Sequence, residues 1–361
     1  MDFDYGPRLS RLRDLMGERG VGALLLSIGP DLPYFTGYEA HPTERLTMAV
    51  VTDQDAVLFV PRLEAPKVPE GPIPVRAWDE TEDPIGLVTS TVSGADTIAV
   101  GEQTWSAFTL ALQERLGSVR WLPAGELTRE LRIRKDDGER RALAIAASQA
   151  DAVAARIPEE VRFSGATEME VAARIREMLV EEGHDQALFA IVASGPNGAS
   201  PHHDASDRVI EPGDLVVCDF GGSYRGYRSD TTRTFSVGAP SPKQVEVHEV
   251  VLAAQQAAEA AVRPGMQCQE VDRAARQVIT EAGYGEWFIH RTGHGIGLDV
   301  HEDPYLVEGN ELALEEGMAF SVEPGIYLPG EFGVRIEDIV ICGPDGPMVL
   351  NDSARALVVV E

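Results

Sequence analysis

Only three cysteines occur in 361 residues: Cys218, Cys268 and Cys342. They lie far apart, so the sequence offers no CxxC pair and no disulfide framework. Cys218 and Cys342 sit in apolar runs and read as small core residues. A reducing cytoplasm is therefore the expected compartment. Long hydrophobic runs are lacking as well. The longest are short segments such as residues 23–26, far below the roughly 20 apolar residues that a membrane-crossing helix needs. The first stretch, MDFDYGPRLSRLRDLMGERG, has no apolar core of the kind a secretory signal carries. Positive charge is scarce: 31 Lys and Arg stand against 59 Asp and Glu, a net charge of −28. Nucleic acid and anionic membrane surfaces are polyanions, so neither is an expected partner. No low-complexity segment occurs, and no internal repeat is strong enough to read from one sequence. What is present is an ordinary globular composition, 43% apolar and 25% charged. A chain of this length exceeds one compact core, so two domains are expected.

Residues 1–130 read as an α/β domain. Leu9, Leu12, Leu15 and Met16 recur at helical spacing, and a strand-like run follows from Ala23, ending at the turn signal Gly29-Pro30. Two β-branched runs, 46–52 and 56–60, flank Asp53-Gln54-Asp55 and read as a hairpin. Residues 61–74 hold five prolines and read as loop or edge. Another strand (97–101) and a helix (108–116) continue the alternation. The aromatic cluster Tyr34 to Tyr38 reads as a strand-to-loop packing feature.

Residues 131–361 read as α+β, with helices packed on a largely antiparallel sheet. A long Ala-rich helix opens this part, capped by Asp136 or Asp137 with Glu139 in its first turn. A second helix starts at Glu168, where Thr167 and Glu170 make a capping-box pattern. Two more cover about 242–262 and 268–282. Strands are expected at 187–194, 214–220, 227–237, 318–323 and 333–342.

The chemistry lies in this second part. In DLVVCDFGGSYRGYRSDTTRTFSV, two strands flank a Gly-rich turn, a hairpin pattern that can set Asp219 opposite Asp230 on one face. Asp219 follows an apolar run typical of a strand buried on both faces. A buried aspartate beside another needs a cation; the alternative is that the pair caps a turn. In GHGIG, glycines on both sides of His294 let the backbone approach closely and leave the imidazole unobstructed. The GxGxxG spacing and following helix of a dinucleotide loop are absent. His290, His294 and His301 cluster in a chain with only eight histidines. Glu323 ends an apolar strand before Pro324-Gly325. Arg335 and Glu337 share a face of the next strand, which an exposed ion pair would also explain. If the four carboxylates converge within about 5 Å, each pair repels by roughly 3 kcal/mol at an effective dielectric near 20. Two divalent ions would neutralise the cluster. Mostly oxygen with one nitrogen, this ligand set suits Mn²⁺, Co²⁺, Fe²⁺ or Zn²⁺.

The segments SGPNGASPHH, LVVCDFGG, YRSDTTRTFSVG, HRTGHGIGLDVHEDP, SVEPGIY and GVRIEDIV together resemble the M24 metallopeptidases, within them the Xaa-Pro aminopeptidases and Xaa-Pro dipeptidases (prolidases). The likeness runs over essentially the whole chain. It implies a creatinase-like α/β N-terminal domain (1–130) and an α+β pita-bread catalytic domain (131–361) of the creatinase/aminopeptidase type. It implies five metal ligands: Asp219, Asp230, His294, Glu323 and Glu337. Asp230 and Glu337 would bridge two ions, Asp219 would hold one, and His294 with Glu323 the other. The implied activity is exopeptidase hydrolysis of the Xaa-Pro bond by a metal-bridging hydroxide, in dipeptides or at peptide N-termini. Catalytic roles fall on His202, His301 and Glu323, with His203 an open alternative to His202. His290, Arg335 and Tyr327 are implied substrate contacts, and Arg335 could equally brace a ligand carboxylate. Manganese is the first expectation, with cobalt, zinc or iron as others. A cytoplasmic homodimer acting on proline-containing dipeptides or short peptides is implied. The long N-terminal part sets the chain apart from methionine aminopeptidases, and the full ligand set from metal-free creatinase. The competing readings are an inactive pita-bread binding module and an M24 hydrolase with a non-proline substrate.

Overall fold

The computed structural model describes residues 3–361. The chain divides into two compact units, one ending at Arg132 and one running from Ile133 to Glu361.

In the first unit, helix α1 (Tyr5–Arg19) begins where the Asp4 side chain accepts from the Gly6 N–H. It ends at Gly20, whose left-handed backbone suits glycine. Its buried face is Leu9, Leu12, Leu15 and Met16. Next come β1 (Ala23–Leu26), α2 (Asp31–Thr36), β2 (Met48–Thr52), β3 (Ala56–Pro61) and β4 (Val75–Trp78). Then follow α3 (Pro84–Thr91), β5 (Thr97–Val100), α4 (Ser106–Leu116), β6 (Arg120–Pro123) and α5 (Gly125–Arg132). The six strands make one mixed sheet, ordered β4-β3-β2-β1-β5-β6. Central β1 is buried along its length, which accounts for its unbroken Ala-Leu-Leu-Leu run. The aromatic cluster is not a strand exit: Tyr34 and Phe35 lie in the short helix α2, and both are buried. Six residues are too few to display a helical period, so the sequence concealed this element.

The second unit opens with α6 (Asp137–Glu160) and α7 (Glu168–Glu181), each started by a full capping box, Asp136 with Glu139 and Thr167 with Glu170. β7 (Gln186–Ser194), β8 (Leu215–Tyr224), β9 (Tyr227–Arg228) and β10 (Thr231–Val237) follow. Then come α8 (Pro242–Ala261), α9 (Cys268–Glu281), β11 (Gly293–Gly295), β12 (Glu302–Leu306) and β13 (Ala319–Val322). The chain ends with β14 (Gly325–Leu328), β15 (Phe332–Arg335), β16 (Asp338–Cys342), β17 (Pro347–Val349) and β18 (Val358–Val360). One sheet is ordered β18-β10-β8-β7 with β9 on β8, a second β12-β11-β13-β16-β17, and β14 pairs with β15. All pairings here are antiparallel except β10 with β18.

Helices α6 and α7 pack Val153, Ile157, Ile175 and Met178 with Val192, Val216 and Phe220 of the first sheet. Helices α8 and α9 pack Val247, Val251, Val271 and Ile279 with Phe320, Val322 and Val340 of the second. Helices α7 and α9 are both 14 residues long, and Glu270 accepts from the Gln267 N–H as Glu170 does from the Thr167 N–H.

Two details position the site. The hairpin turn is Arg225-Gly226, both at positive φ (50° and 83°); of the glycines in the Gly-rich stretch it contains Gly226 but not Gly221 and Gly222. Those glycines lie inside β8, where a Cβ on Gly221 would meet the Ser229 carbonyl oxygen at 2.1 Å. The strand expected over 333–342 is two strands, broken at Ile336-Glu337. The break occurs because the Glu337 N–H leaves the local ladder and donates to the Thr232 carbonyl of β10 at 3.2 Å. Among the described residues, no helix is long and apolar enough to cross a membrane.

Candidate metal centre

The β8–β10 register pairs Asp219 with Thr232, not with Asp230. Asp230 lies two residues earlier than Thr232, so it is a diagonal neighbour of Asp219 on the same face. Glu337 reaches this face through the strand break, and its carboxylate accepts from Thr232 Oγ1 at 2.6 Å. His294 is the centre of β11. The flanking glycines let β11 nest tightly: a Cβ on Gly293 would meet the Ser321 carbonyl oxygen at 1.9 Å. Ser321 Oγ accepts from the His294 N–H at 3.1 Å and donates to Glu323 Oε1 at 3.2 Å, linking the two side chains. His294 Nε2 stands 3.6 Å from Asp230 Oδ2 and 3.3 Å from Glu323 Oε1. Ligand atoms of Asp230, His294 and Glu337 all lie within 4.8 Å of one another.

These groups fit divalent ions on grounds of their own chemistry. His294 Nδ1 donates to the Gly295 carbonyl, 3.1 Å away. Its Nε2 lone pair is therefore left facing two carboxylate oxygens. Burial, helped by the nearby His301, depresses the His294 pKa to about 3, so protonation does not relieve that contact near neutrality. Asp219 Oδ1 is buried with no hydrogen-bond partner. Burial pushes Asp230 well above the ordinary carboxylate range, and the Glu337 and Asp219 charges push the same way. Glu337 is raised by burial and by Glu323 and Asp219. Burial lifts Glu323 to about 7 against the pull of the Arg335 guanidinium. Crowded acceptors with too few donors are what a pair of cations resolves.

A prediction follows for metal uptake. Raised pKa values mean that the metal-free centre holds protons below about pH 7, and bound ions must displace them. Manganese added to chelated protein at pH 6 should release protons. The rise in melting temperature on manganese addition should be larger at pH 7.5 than at pH 5.5. Calorimetry in buffers of different ionisation heat checks the first point, and zero proton release at pH 6 would contradict the assignment.

All five expected ligands line one cavity of about 550 Å³, together with His202, His290, His301 and Arg335. Phe189, Ile191, Pro201 and Val300 give it apolar walls, and Asp204 and Arg291 add opposite charges. His203 is not part of the lining; its Nε2 bonds Glu168 at 2.8 Å. The His294 and His301 rings stand 4.1 Å apart. Arg335 is only 3% exposed. It donates to Asp219 Oδ2 (2.6 Å), Tyr327 Oη (2.9 Å), Thr232 Oγ1 (3.1 Å) and the Pro201 carbonyl (3.2 Å). Tyr327 stays outside the lining, buried behind His290, whose Nε2 lies 2.8 Å from its hydroxyl. Buried Asp272 of α9 accepts from the Thr292 N–H and Oγ1, and Arg276 donates to the His290 carbonyl. That pair fixes the segment entering β11. Sequence reasoning missed Thr232, Ser321, Asp272 and Arg291, since a hydroxyl or an acid in a strand or helix carries no spacing signal of its own.

Residues 141–344 match the metallopeptidase family M24, and residues 8–134 match the creatinase/prolidase N-terminal domain. The chain is 44% identical to the probable dipeptidase PepE of Mycobacterium tuberculosis, over 99% of this chain and 96% of that protein. It is 36% identical to the Xaa-Pro dipeptidase of Lactobacillus delbrueckii subsp. lactis, over 97% of this chain and 98% of the relative. Among solved structures, the recombinant prolidase from Thermococcus sibiricus superposes with a TM-score of 0.95 at 36% identity, covering 100% of both chains. The fold, with its helix-backed mixed sheets, and its buried carboxylate–histidine cluster agree with these matches, and the chain belongs to metallopeptidase family M24.

Proposed function

We propose that the chain is a two-metal exopeptidase that hydrolyses the Xaa-Pro bond of proline-containing dipeptides. The observation that carries this is the cavity: the five expected ligand side chains, four of them buried, share it with an apolar wall and two cationic side chains. Named Xaa-Pro dipeptidases among the relatives point to the same substrate class.

Asp219, Asp230, His294, Glu323 and Glu337 would hold the two ions. The oxygen-rich set suits Mn²⁺, with Co²⁺, Zn²⁺ or Fe²⁺ as substitutes. When bound, the ions polarise the scissile carbonyl and lower the pKa of a water from 15.7 to about 7. Glu323 moves a proton toward the leaving nitrogen. His202 and His301 offer N–H groups to the charge that grows on the carbonyl oxygen. Burial, first among its causes, lowers the His301 pKa, so that ring works as a neutral donor.

Proline has no N–H, so its side of the site needs shape rather than a hydrogen-bond acceptor. Phe189, Ile191, Pro201 and Val300 supply apolar surface, and His290 stands at the same wall. Arg335 is engaged by four protein partners and braces Asp219. Arg291 lines the cavity, and its guanidinium lies over the Tyr305 ring, 4.4 Å from its Cζ. It is the cation suited to a dipeptide carboxylate. Three buried, unpaired cysteines suit a reducing cytoplasm, and a homodimer is the form the family resemblance implies.

The test is amino-acid release from Ala-Pro, Ala-Pro-Ala and Ala-Ala-Ala with manganese present. Ala-Pro should be cleaved at least tenfold faster than Ala-Pro-Ala, and Ala-Ala-Ala should be inert. Rapid cleavage of Ala-Ala-Ala with both proline peptides untouched would overturn the assignment. Preference for Ala-Pro-Ala would make the chain an Xaa-Pro aminopeptidase instead.

A further inference from the structure

The segment between β7 and β8 carries Pro201 and His202 to the cavity, yet it has little structure of its own. Apart from a short 3₁₀ turn (Gly195–Ala199), it is irregular. Its internal backbone bonds include Ser200 N–H to Asn197 and His203 N–H to Ser200. What holds it comes from the start of α7. Glu168 is the first residue of that helix, fully buried, and lies outside the cavity lining. Its Oε1 accepts from the Ser194 N–H (2.8 Å), Ser194 Oγ (2.7 Å) and Asn197 Nδ2 (3.1 Å). Its Oε2 accepts from His203 Nε2 (2.8 Å), the Ser206 N–H (3.1 Å) and Ser206 Oγ (2.7 Å). One carboxylate thus grips the beginning, the middle and the end of the segment. The helix adds two backbone donors, Glu168 N–H to Arg208 and Met169 N–H to Ser206.

We propose that Glu168 is a positioning residue for hydrolysis: by anchoring His203 and both ends of the 194–206 segment, it sets His202 over the metal-ligand cluster. The proposal rests on the catalytic role given above to His202. His202 is bracketed on both sides. The preceding Pro201 carbonyl accepts from Arg335 at 3.2 Å, and the following His203 is tied to Glu168. The same bracket sorts the two adjacent histidines, one turned to the carboxylate and one lining the cavity. Burial would raise the Glu168 pKa, but hydrogen bonds from Ser206, Ser194 and His203 outweigh it and hold the carboxyl at about 2. It is therefore an ionised acceptor throughout the working range, and charge-assisted bonds of this kind are about twice as strong as neutral ones. A misplacement of about 1 Å in a catalytic group can cost roughly 10²-fold in rate.

Glu168→Gln keeps the size but turns an amide donor toward donors. With Ala-Pro and manganese, kcat should fall at least tenfold, KM should stay within threefold, and bound metal per chain should be unchanged. Glu168→Gln combined with His202→Ala should be no slower than His202→Ala alone, because the first acts through the second. If Glu168→Gln does not fold, His203→Leu carries the test: kcat should fall about threefold to tenfold, and His203→Gln, which restores a donor, should recover it. A wild-type kcat in Glu168→Gln while His202→Ala is slow overturns this proposal alone. So does a double variant much slower than His202→Ala. A wild-type kcat in His202→Ala overturns the catalytic reading of His202 itself, and the proposal with it.

Discussion

Replacing Asp230 by alanine is expected to abolish peptide hydrolysis and metal binding together. Asp230 is 4% exposed. It sits within ligand distance of both His294 and Glu337. A residue so placed can serve both ions, so its loss empties both positions rather than one. The change also removes one of four mutually repelling carboxylates, and that relief works in favour of folding in the metal-free state. The variant should therefore fold, melt close to the chelated wild type, and gain little on manganese addition. Rates should drop by more than 10⁴-fold, because neither the polarised carbonyl nor the acidified water survives. Elemental analysis beside the rate measurement reads both effects. Full metal content with no activity would show that Asp230 is not a shared ligand, and wild-type activity in strong chelator would remove the metals from the chemistry altogether.

The second large effect concerns His202 and His301. Neither is among the five ligand side chains, yet both line the cavity. If their N–H groups meet charge that exists only in the transition state, deletion lowers kcat without emptying the metals. Each alanine variant should lose about 10²–10³ in kcat, as removal of an oxyanion-stabilising donor does. KM for Ala-Pro should shift little by comparison. His203→Ala should be milder, since His203 supports its neighbour from behind through Glu168. A His202→Ala variant at full rate beside a crippled His203→Ala would reverse the order of the two. Loss of metal in His301→Ala would make that residue a ligand, a role its ring contact with His294 leaves geometrically open.

How far the sequence could be read is clearest at individual residues. The expected ligand positions stood out because chain geometry advertises them: Asp219 ends an apolar run, glycines flank His294, and Glu323 precedes Pro-Gly. The convergence of Asp230, His294 and Glu337, which local patterns cannot supply, is present in the fold. Long helices such as α6 and α7 were legible from capping boxes and apolar spacing. Short helix α2 was not, and neither was the break between β15 and β16. That break depends on a bond from Glu337 to Thr232, more than a hundred residues away along the chain. Glu168 was opaque for the same reason, and Arg335 was left open between a substrate contact and a brace on a ligand carboxylate. The sequence shows an arginine near a ligand and an acid in a helix's first turn, both ordinary; only the fold reveals that one braces Asp219 and the other grips a loop.

The two-half architecture has a mechanical consequence. Asp219 and Asp230 belong to the hairpin of one sheet, whereas His294, Glu323 and Glu337 come from the half that follows α9. Metal–ligand bonds of about 2.0–2.2 Å tolerate little stretch. Ions seated there act as rivets across a seam, and their occupancy is a strain gauge for it. Any substitution that lets the sheets drift apart by a fraction of an ångström, even one in the packing of α8 or α9, would register as weakened metal retention. Faster metal loss on dialysis would therefore report loosened packing in this protein, and the melting temperature of the metal-loaded form would fall with it.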